Sequence, residues 1–440
     1  MPPEEFRSKG LRVPSGRLSR IARFGNMATG IAGSMLLDGA RQFASGRRPT
    51  VADLLMTPAN ALKVTLQLGQ MRGAAMKLGQ LVSMDTGDFL PPELADIFAR
   101  LRADAQHMPP AQLNAVLAGH WGRNWREQFI RFDDRPIAAA SIGQVHRALT
   151  LDNEDVAIKI QYPGVRRSID SDVDNVATLL KLSHLLPSTL DIAPLLVEAK
   201  RQLHEEADYI REGEYLAQFG ALLADDAAYT VPALHPALSG KNVLVMSYME
   251  SVAIGSTVTA PQEERDRIMT LLIELVLREL FEFNVMQTDP NFANYRYDPA
   301  TGKVVLLDFG ASRPLPKAVV DQYRHLLQMG LAGDHDGVLA AVIDMGFMNA
   351  QTAKLNSREI TNIVATAINM VQQQGPFDFG QTGFVGDMRD EGMNIAADRR
   401  NWHIPPSELL FVQRKLGGVF LLASRLKARV DVRSMLDSYV

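Results

Sequence analysis

The stretch that most constrains this chain runs from Asp289-Pro-Asn-Phe-Ala-Asn294 to Asp308-Phe-Gly310. Asp298-Pro-Ala-Thr-Gly302 is a turn signal between two strand-like pieces, residues 295–297 and 304–307, so the two pieces are expected to pair as a hairpin. With the turn centred near Ala300, Asn294 falls opposite about Leu307, next to Asp308. Directly opposed residues have Cβ atoms about 5 Å apart, so a carboxamide and a carboxylate oxygen can reach one hard cation. Magnesium takes oxygen ligands of this kind together with phosphate oxygens. Asp289 precedes a proline and is pushed out of helical geometry into a loop. A carboxylate there suits a base, or a group that orients an attacking oxygen.

Taken singly, an Asp-Pro is a loop and a D-F-G is a common tripeptide; Asp308 capping a helix and Asn294 closing a turn is the structural alternative. Their order, with a turn between them, favours the functional reading. D-x-x-x-x-N followed by D-F-G is the spacing of the protein-kinase catalytic loop and metal-binding segment.

The first half offers a matching nucleotide site. Val156-Ala-Ile-Lys159 reads as a short strand with Lys159 facing away from Val156 and Ile158. Pairing across a turn at about Asp152 and Asn153 brings Ala138, Ala139, Ala140, Ser141, Ile142 and Gly143 to the end of the sheet beside Lys159. Small side chains there let backbone N–H groups approach phosphates, as glycines do elsewhere. Alanine confines the loop to negative φ, so the cradle is expected to be stiffer. The alternative is an alanine-rich turn packed on a helix, with Lys159 snorkelling. The helix expected over residues 194–219 carries Glu198, Glu205, Glu206, Asp208, Glu212 and Glu214 as candidate partners for the lysine. Glu206 and Asp208 stand about 200° apart on a regular helix and cannot both face it.

Composition removes several classes. At 440 residues and 46% hydrophobic content the chain can bury a large core. A net charge of -4 removes the bulk electrostatic argument for nucleic-acid binding. Cysteine is absent, which excludes disulfides, thiolate metal sites and cysteine nucleophiles and suits a reducing compartment. No run of about 20 apolar residues is present to cross a bilayer. Arg7, Lys9, Arg12, Arg17, Arg20 and Arg23 precede a small, apolar stretch from Met27 to Leu37. That segment fits contact with an anionic membrane surface, an organellar targeting sequence, or a solvated arm.

Along the chain, helical spacing covers about residues 50–117, with stops at Pro91, Pro92, Pro109 and Pro110. A small sheet follows over 121–162, helix over 169–219, short strands at 229–232 and 242–248, and a mainly helical remainder. The expected organisation is a basic segment (1–48), a helical extension (49–120), a sheet-bearing lobe (121–246) and a helical lobe (247–440).

The sequence resembles the UbiB-type atypical kinases, most closely the mitochondrial ubiquinone-biosynthesis branch, from about residue 20 onward. The resemblance is carried by Met76-Lys-Leu-Gly-Gln80, Ala138-Ala-Ala-Ser-Ile-Gly-Gln-Val-His146, Val156-Ala-Ile-Lys159, Glu206-Ala-Asp208, Gln287-Thr-Asp-Pro-Asn-Phe-Ala-Asn294, Leu307-Asp-Phe-Gly310 and Gln413-Arg-Lys-Leu-Gly-Gly418. It implies an α+β, bilobal protein-kinase-like fold with a small antiparallel sheet in the N-lobe, a mainly helical C-lobe and an N-terminal helical extension. ATP and Mg would be the cofactors: Lys159 on the α- and β-phosphates with Glu206 as its partner, Asn294 and Asp308 on the metal, and Asp289 as the catalytic aspartate. Val243 to Met246 would lead into a hinge, with backbone groups of Ser247, Tyr248 and Met249 on adenine. Lys77, Gly79 and Gln80 would fold over the site where other kinases admit a peptide, anchored by Glu206 and Asp208.

Gln287, Asn291 and Ala293 stand where many members carry His, His and Gly, which sets this chain nearer the mitochondrial branch. There is no A-P-E sequence after Asp308, and little chain separates Gly310 from helical pattern at Lys317, so a peptide platform is not expected. The function implied is an ATPase that supports isoprenoid-quinone biosynthesis and does not phosphorylate proteins in trans. ATP, anionic lipid, a quinone precursor and quinone-biosynthesis proteins are the expected partners. Alternatives are a nucleotide-gated scaffold or lipid-binding module and a small-molecule kinase, the last giving no reason for Lys77 to Gln80. Without a clear transit peptide or cysteine, the chain reads as bacterial and cytoplasmic, at the inner membrane, with the mitochondrial matrix as the alternative.

Overall fold

The structure is a computed structural model, and it describes residues 73–75, 77, 107–182, 192–289, 291–380 and 406–440. Gly79 and Gln80, the basic segment and most of the expected helical extension lie outside those residues. The chain divides into two compact units. One holds the described residues up to Gly213 together with Leu234–Tyr248; the other holds Glu214–Ala233 and Met249–Val440.

The first unit is built on an antiparallel sheet. Helix α1 (Pro110–Trp121) is followed by β1 (Phe129–Phe132), β2 (Ala138–Ala139), β3 (Gly143–Thr150) and β4 (Asp155–Gln161). After these come α2 (Val165–Leu182), α3 (Ala193–Glu206) and α4 (Tyr209–Leu222), the last belonging to this unit as far as Gly213. Strand β5 (Tyr229–Thr230) lies in the second unit, and β6 (Val243–Ser247) returns to this sheet. The order is β1-β3-β4-β6, with β2 paired on β3.

Alternation decides which face is apolar. Val156, Ile158 and Ile160 of β4 are fully buried, and with Val243 and Val245 they pack against Leu113 and Leu117 of α1 and against Trp125 and Phe129. Lys159 falls on the opposite face, as its position in the strand requires. Val145 and Leu244 flank it in the register.

Two expectations need correction here. Pro110 does not stop a helix but opens α1, because at the first helical position its missing N–H has no intrahelical partner to lose. The single helix expected over 194–219 is two helices, interrupted at Ala207–Asp208. Asp208 causes the break, since its Oδ1 accepts the Arg211 N–H at 3.2 Å and so caps the start of α4.

The second unit is mainly helical. Its elements are β7 (Val252–Ala253), α5 (Gln262–Arg278) running into a π-turn (Glu279–Phe283), β8 (Val285–Gln287), β9 (Tyr295–Asp298), β10 (Lys303–Leu306) and β11 (Ser312–Pro314). Then follow α6 (Lys317–Ala332), α7 (His335–Asp344), α8 (Ala350–Leu355), α9 (Ser357–Gln372), β12 (Phe377–Asp378), α10 (Ser407–Leu426), β13 (Arg429–Val430) and α11 (Val432–Leu436). Small β5-β10-β9-β7, β8-β11 and β12-β13 sheets sit among the helices, more strand than the run at 229–232 and the hairpin expected there.

The hairpin itself forms as expected. Leu306 pairs with Tyr295 and Lys303 with Asp298, and the Leu307 N–H donates to the Asn294 carbonyl at 3.2 Å. Asp298 locks the turn by accepting from Ala300 N at 2.9 Å and from Thr301 Oγ1 at 2.6 Å. Gly302 completes it at φ +70°, a left-handed conformation that a Cβ disfavours. Among the described residues no helix is long and apolar enough to cross a membrane.

Candidate functional site

Of the residues expected to bind nucleotide, Ala138 pairs with Val145, which pairs in turn with Lys159. Its Nζ donates to both oxygens of Glu212, at 2.7 and 2.9 Å, and lies 5.3 Å from the centroid of the Tyr209 ring. The Glu212 side chain is 1% exposed and that of Lys159 11%. Glu206, expected as the lysine's partner, is engaged elsewhere: Oε1 accepts Lys77 Nζ at 2.6 Å and Oε2 accepts Ser141 Oγ at 2.7 Å. The reason is the break before α4, which puts Glu206 at the end of α3 and leaves Glu212, on the first turn of α4, for the lysine. Gly213 of that helix packs on Leu244, the strand neighbour of Lys159.

Ala138 and Ala139 form β2, and Ala140 N donates to the Gly143 carbonyl at 2.9 Å, closing a tight turn over Ser141 and Ile142. Gly143 is dictated by space, because a Cβ there would stand 2.4 Å from the Ile160 carbonyl oxygen and 2.9 Å from the Tyr209 hydroxyl. The helical residues at 73–75 and 77 meet the same turn. A Cβ on Gly73 would come within 2.9 Å of the Ile142 side chain, and Ala75 and Lys77 are buried. Lys77, Glu206 and Ser141 therefore form one connected set. Asp208 takes a different role, capping α4 and meeting Arg166 at 3.2 Å on the surface.

At the end of β6, the Tyr248 N–H donates to the Asp155 carbonyl at 2.8 Å and its ring lies 3.9 Å below the Arg147 guanidinium, which also holds the Asp155 carboxylate. That guanidinium keeps the Asp155 carboxyl below the usual carboxylate range. The Tyr248 N–H is thus engaged within its own sheet. Ser247 pairs with Val156, and the Met249 carbonyl accepts from Ser251 Oγ at 3.2 Å.

In the second unit the three expected residues share a short piece of chain. Asn294 is 7% exposed, and its Nδ2 donates to Asp289 Oδ2 at 3.0 Å. Asp289 Oδ1 accepts the Asn291 N–H at 3.3 Å, and Asp308 Oδ1 accepts the Gly310 N–H at 3.0 Å. Asn294 and Asp308 line one cavity of about 10 Å³ with Glu279, Gln287, Tyr295 and Phe309, room for about one water. Phe309 is anchored behind them, its ring 5.0 Å from that of Phe219.

Among the described residues no cluster of three or more His, Asp or Glu offers a complete metal cage. A carboxamide and a carboxylate fit magnesium, which binds through one or two protein oxygens and completes its shell with water and phosphate. The donation from Nδ2 to Asp289 makes that end of the Asn294 amide the nitrogen, so the other end is the oxygen, the atom of the amide able to ligate a cation.

Sequence reasoning did not single out Glu212 from five other acids, nor Gly73, Tyr209 or Arg147. Six residues on one charged helical stretch give no signal that separates them.

A sheet-bearing unit with a lysine–glutamate pair and a helical unit with an Asp/Asn/Asp-Phe-Gly set define a protein-kinase-like fold. The model of the ABC1 atypical kinase-like domain matches residues 100–342, and the chain belongs to that family. It is 37% identical over 438 residues to "Atypical kinase COQ8B, mitochondrial" of Danio rerio, covering 98% of this chain and 70% of that protein. It is 36% identical over 432 residues to "Atypical kinase COQ8, mitochondrial" of Saccharomyces cerevisiae, covering 96% of this chain and 84% of that one. A solved structure titled "The complex structure of Rv3197-erythromycin from Mycobacterium tuberculosis" is similar at a TM-score of 0.62 and 26% identity, covering 88% of this chain and 97% of the other.

Proposed function

We propose that this chain is an atypical kinase-like ATPase that binds ATP with magnesium and supports isoprenoid-quinone biosynthesis. The observation that carries the reading is the Asp289–Asn294 hydrogen bond at 3.0 Å, at the foot of a hairpin whose other strand leads into Asp308. The reading is supported by the chain order Asp289, Asn294, Asp308, which is the order of the corresponding groups in protein-kinase phosphoryl-transfer sites.

In this reading Lys159, oriented by Glu212, neutralises the α- and β-phosphates, and backbone N–H groups of the Ala138–Gly143 turn lie along them. Asn294 and Asp308 would hold the metal, whose positive charge would offset that of the phosphates. Asp289, turned by its bonds to Asn291 N and Asn294 Nδ2, orients the attacking oxygen and can receive its proton. The Tyr248 carbonyl and Met249 N–H read adenine, since the Tyr248 N–H is already engaged.

The acceptor is water or a small isoprenoid-type molecule. β11 fills the interval between Gly310 and α6 at Lys317, and an interval so short gives a peptide no platform. Lys77, held by Glu206, is proposed to help close the side where other kinases admit peptide; Gly79 and Gln80, expected to act with it, lie outside the described residues. The place of action is a membrane surface bordering a reducing compartment, either the bacterial cytoplasm or the mitochondrial matrix. Quinone-biosynthesis proteins and anionic lipid are the proposed partners.

ATP turnover by the purified protein, with and without anionic liposomes, tests the reading. Asp308→Asn is expected to abolish turnover; unchanged turnover in that variant would remove the site. A nucleotide-gated scaffold, by contrast, tolerates Asp289→Asn in a quinone-production assay, whereas the proposed enzyme does not.

A further inference from the structure

The motif Gln413 to Gly418 takes no part in the roles above, yet it contributes the most deeply buried cation among the described residues. Lys415 of α10 is 0% exposed. Its Nζ lies 2.9 Å from Glu279 Oε2, donates to the Gln287 carbonyl at 2.8 Å, and stands 5.1 Å from the centroid of the Tyr295 ring. Glu279, the first residue of the π-turn after α5, is 1% exposed.

Packing alone gives no reason for this pair, because apolar residues of similar volume are generally as stable or more so at buried sites. The position of the carbonyl supplies one. Gln287 is the last residue of β8, two before Asp289, and it takes a charge-assisted bond from Lys415. The next residue, Thr288, is held from the other side, its N–H and Oγ1 both donating to the Ala311 carbonyl at 3.2 and 2.7 Å. Backbone entering Asp289 is thus pinned twice. Glu279, Gln287 and Tyr295 also line the same small cavity as Asn294 and Asp308, so the ion pair lies directly behind the proposed metal residues.

We propose that Lys415 is a positioning residue: neutralised by Glu279, it fixes the Gln287 carbonyl and through it the backbone that aims the Asp289 carboxylate. The inference rests on the reading of Asp289 as the catalytic carboxylate.

Lys415→Met alone strands a buried charge and is expected to unfold the protein, so the informative variant is Lys415→Met combined with Glu279→Leu. That double variant is expected to melt within a few degrees of the parent and to bind a non-hydrolysable ATP analogue within about twofold of it. Its kcat for ATP is expected to fall roughly ten- to hundredfold with little change in KM, the pattern of a misaimed group and not of lost binding. Hydrogen exchange at the Thr288 and Asp289 amides is expected to quicken. Should this variant fail to fold, Lys415→Met with Glu279→Gln, which removes the charge at unchanged length, is held to the same outcomes. A folded double variant with parental kcat overturns the proposal. Asp308→Asn, assayed in parallel, separates the two failures: if it abolishes turnover while the double variant does not, only the role of Lys415 falls, and if it leaves turnover intact the site reading falls first.

Discussion

Both carboxylate oxygens of Glu212 hold the Lys159 ammonium, at 2.7 and 2.9 Å, with the acid 1% exposed. An ammonium fixed in this way keeps its position on the sheet face whether or not a phosphate is present. Glu212→Gln removes the charge and keeps the shape. It is expected to weaken nucleotide binding by about 2 kcal/mol, roughly thirtyfold, read by titration with an ATP analogue. Glu206→Gln, which leaves this pair intact, is expected to have the smaller effect; the reverse order would reassign the lysine's partner.

Asp208 acts on α4 through its cap. Asp208→Ala is expected to lower stability by about 1 kcal/mol, and Asp208→Asn or Asp208→Ser to recover most of the loss, measured by thermal melting. No recovery with either capping residue would mean that the Arg166 contact, and not the cap, matters.

Gly143→Ala places a methyl group 2.4 Å from a backbone oxygen of the neighbouring strand, which cannot move without breaking the β3–β4 ladder. A loss of about 3 kcal/mol in denaturant unfolding is expected. Gly119, with nothing near the position of its Cβ, serves as control, and Gly119→Ala in α1 is expected to be neutral or to stabilise by up to about 1 kcal/mol.

His146 is expected to make the protein sensitive to mild acid. Its Nδ1–H donates to the Asp133 carbonyl at 2.8 Å, so its Nε2 accepts from Gln144 Nε2 at 2.7 Å, while Gln144 Oε1 accepts the Met108 N–H at 2.7 Å. Protonation would set two donors face to face, and the amide cannot turn over without losing Met108. Burial lowers the His146 pKa; Asp133 and Asp134 oppose the shift and His107 adds to it. The unfolded chain, with an imidazole pKa of about 6.5, binds the proton more readily. Stability is therefore full above that range and falls as pH drops below it. Thermal melts from pH 8 to about pH 5 are expected to show the decline, and a flat profile would exclude this histidine as its source.

Much of this arrangement could be read from the sequence because the relevant distances along the chain are short. The hairpin register follows from the Asp298–Gly302 turn and puts Asn294 beside Leu307, and strand alternation alone places Lys159 opposite Val156 and Ile158. The partner of that lysine was not legible. Six acids follow one another in a stretch read as one helix, and Ala207 carries no helix-breaking signal; the interruption becomes evident only once Asp208 is seen capping the helix that follows it.

Local chemistry therefore determined which residue types stand at the hairpin and on the lysine's strand, because turns and two-residue periodicity act over a few positions. Tertiary structure alone decided which charges neutralise each other. Lys159 takes Glu212, Lys77 takes Glu206, and Lys415 reaches back to Glu279, 136 positions earlier. A buried charge has to find a partner in space, and that requirement leaves no mark on the order of residues along the chain.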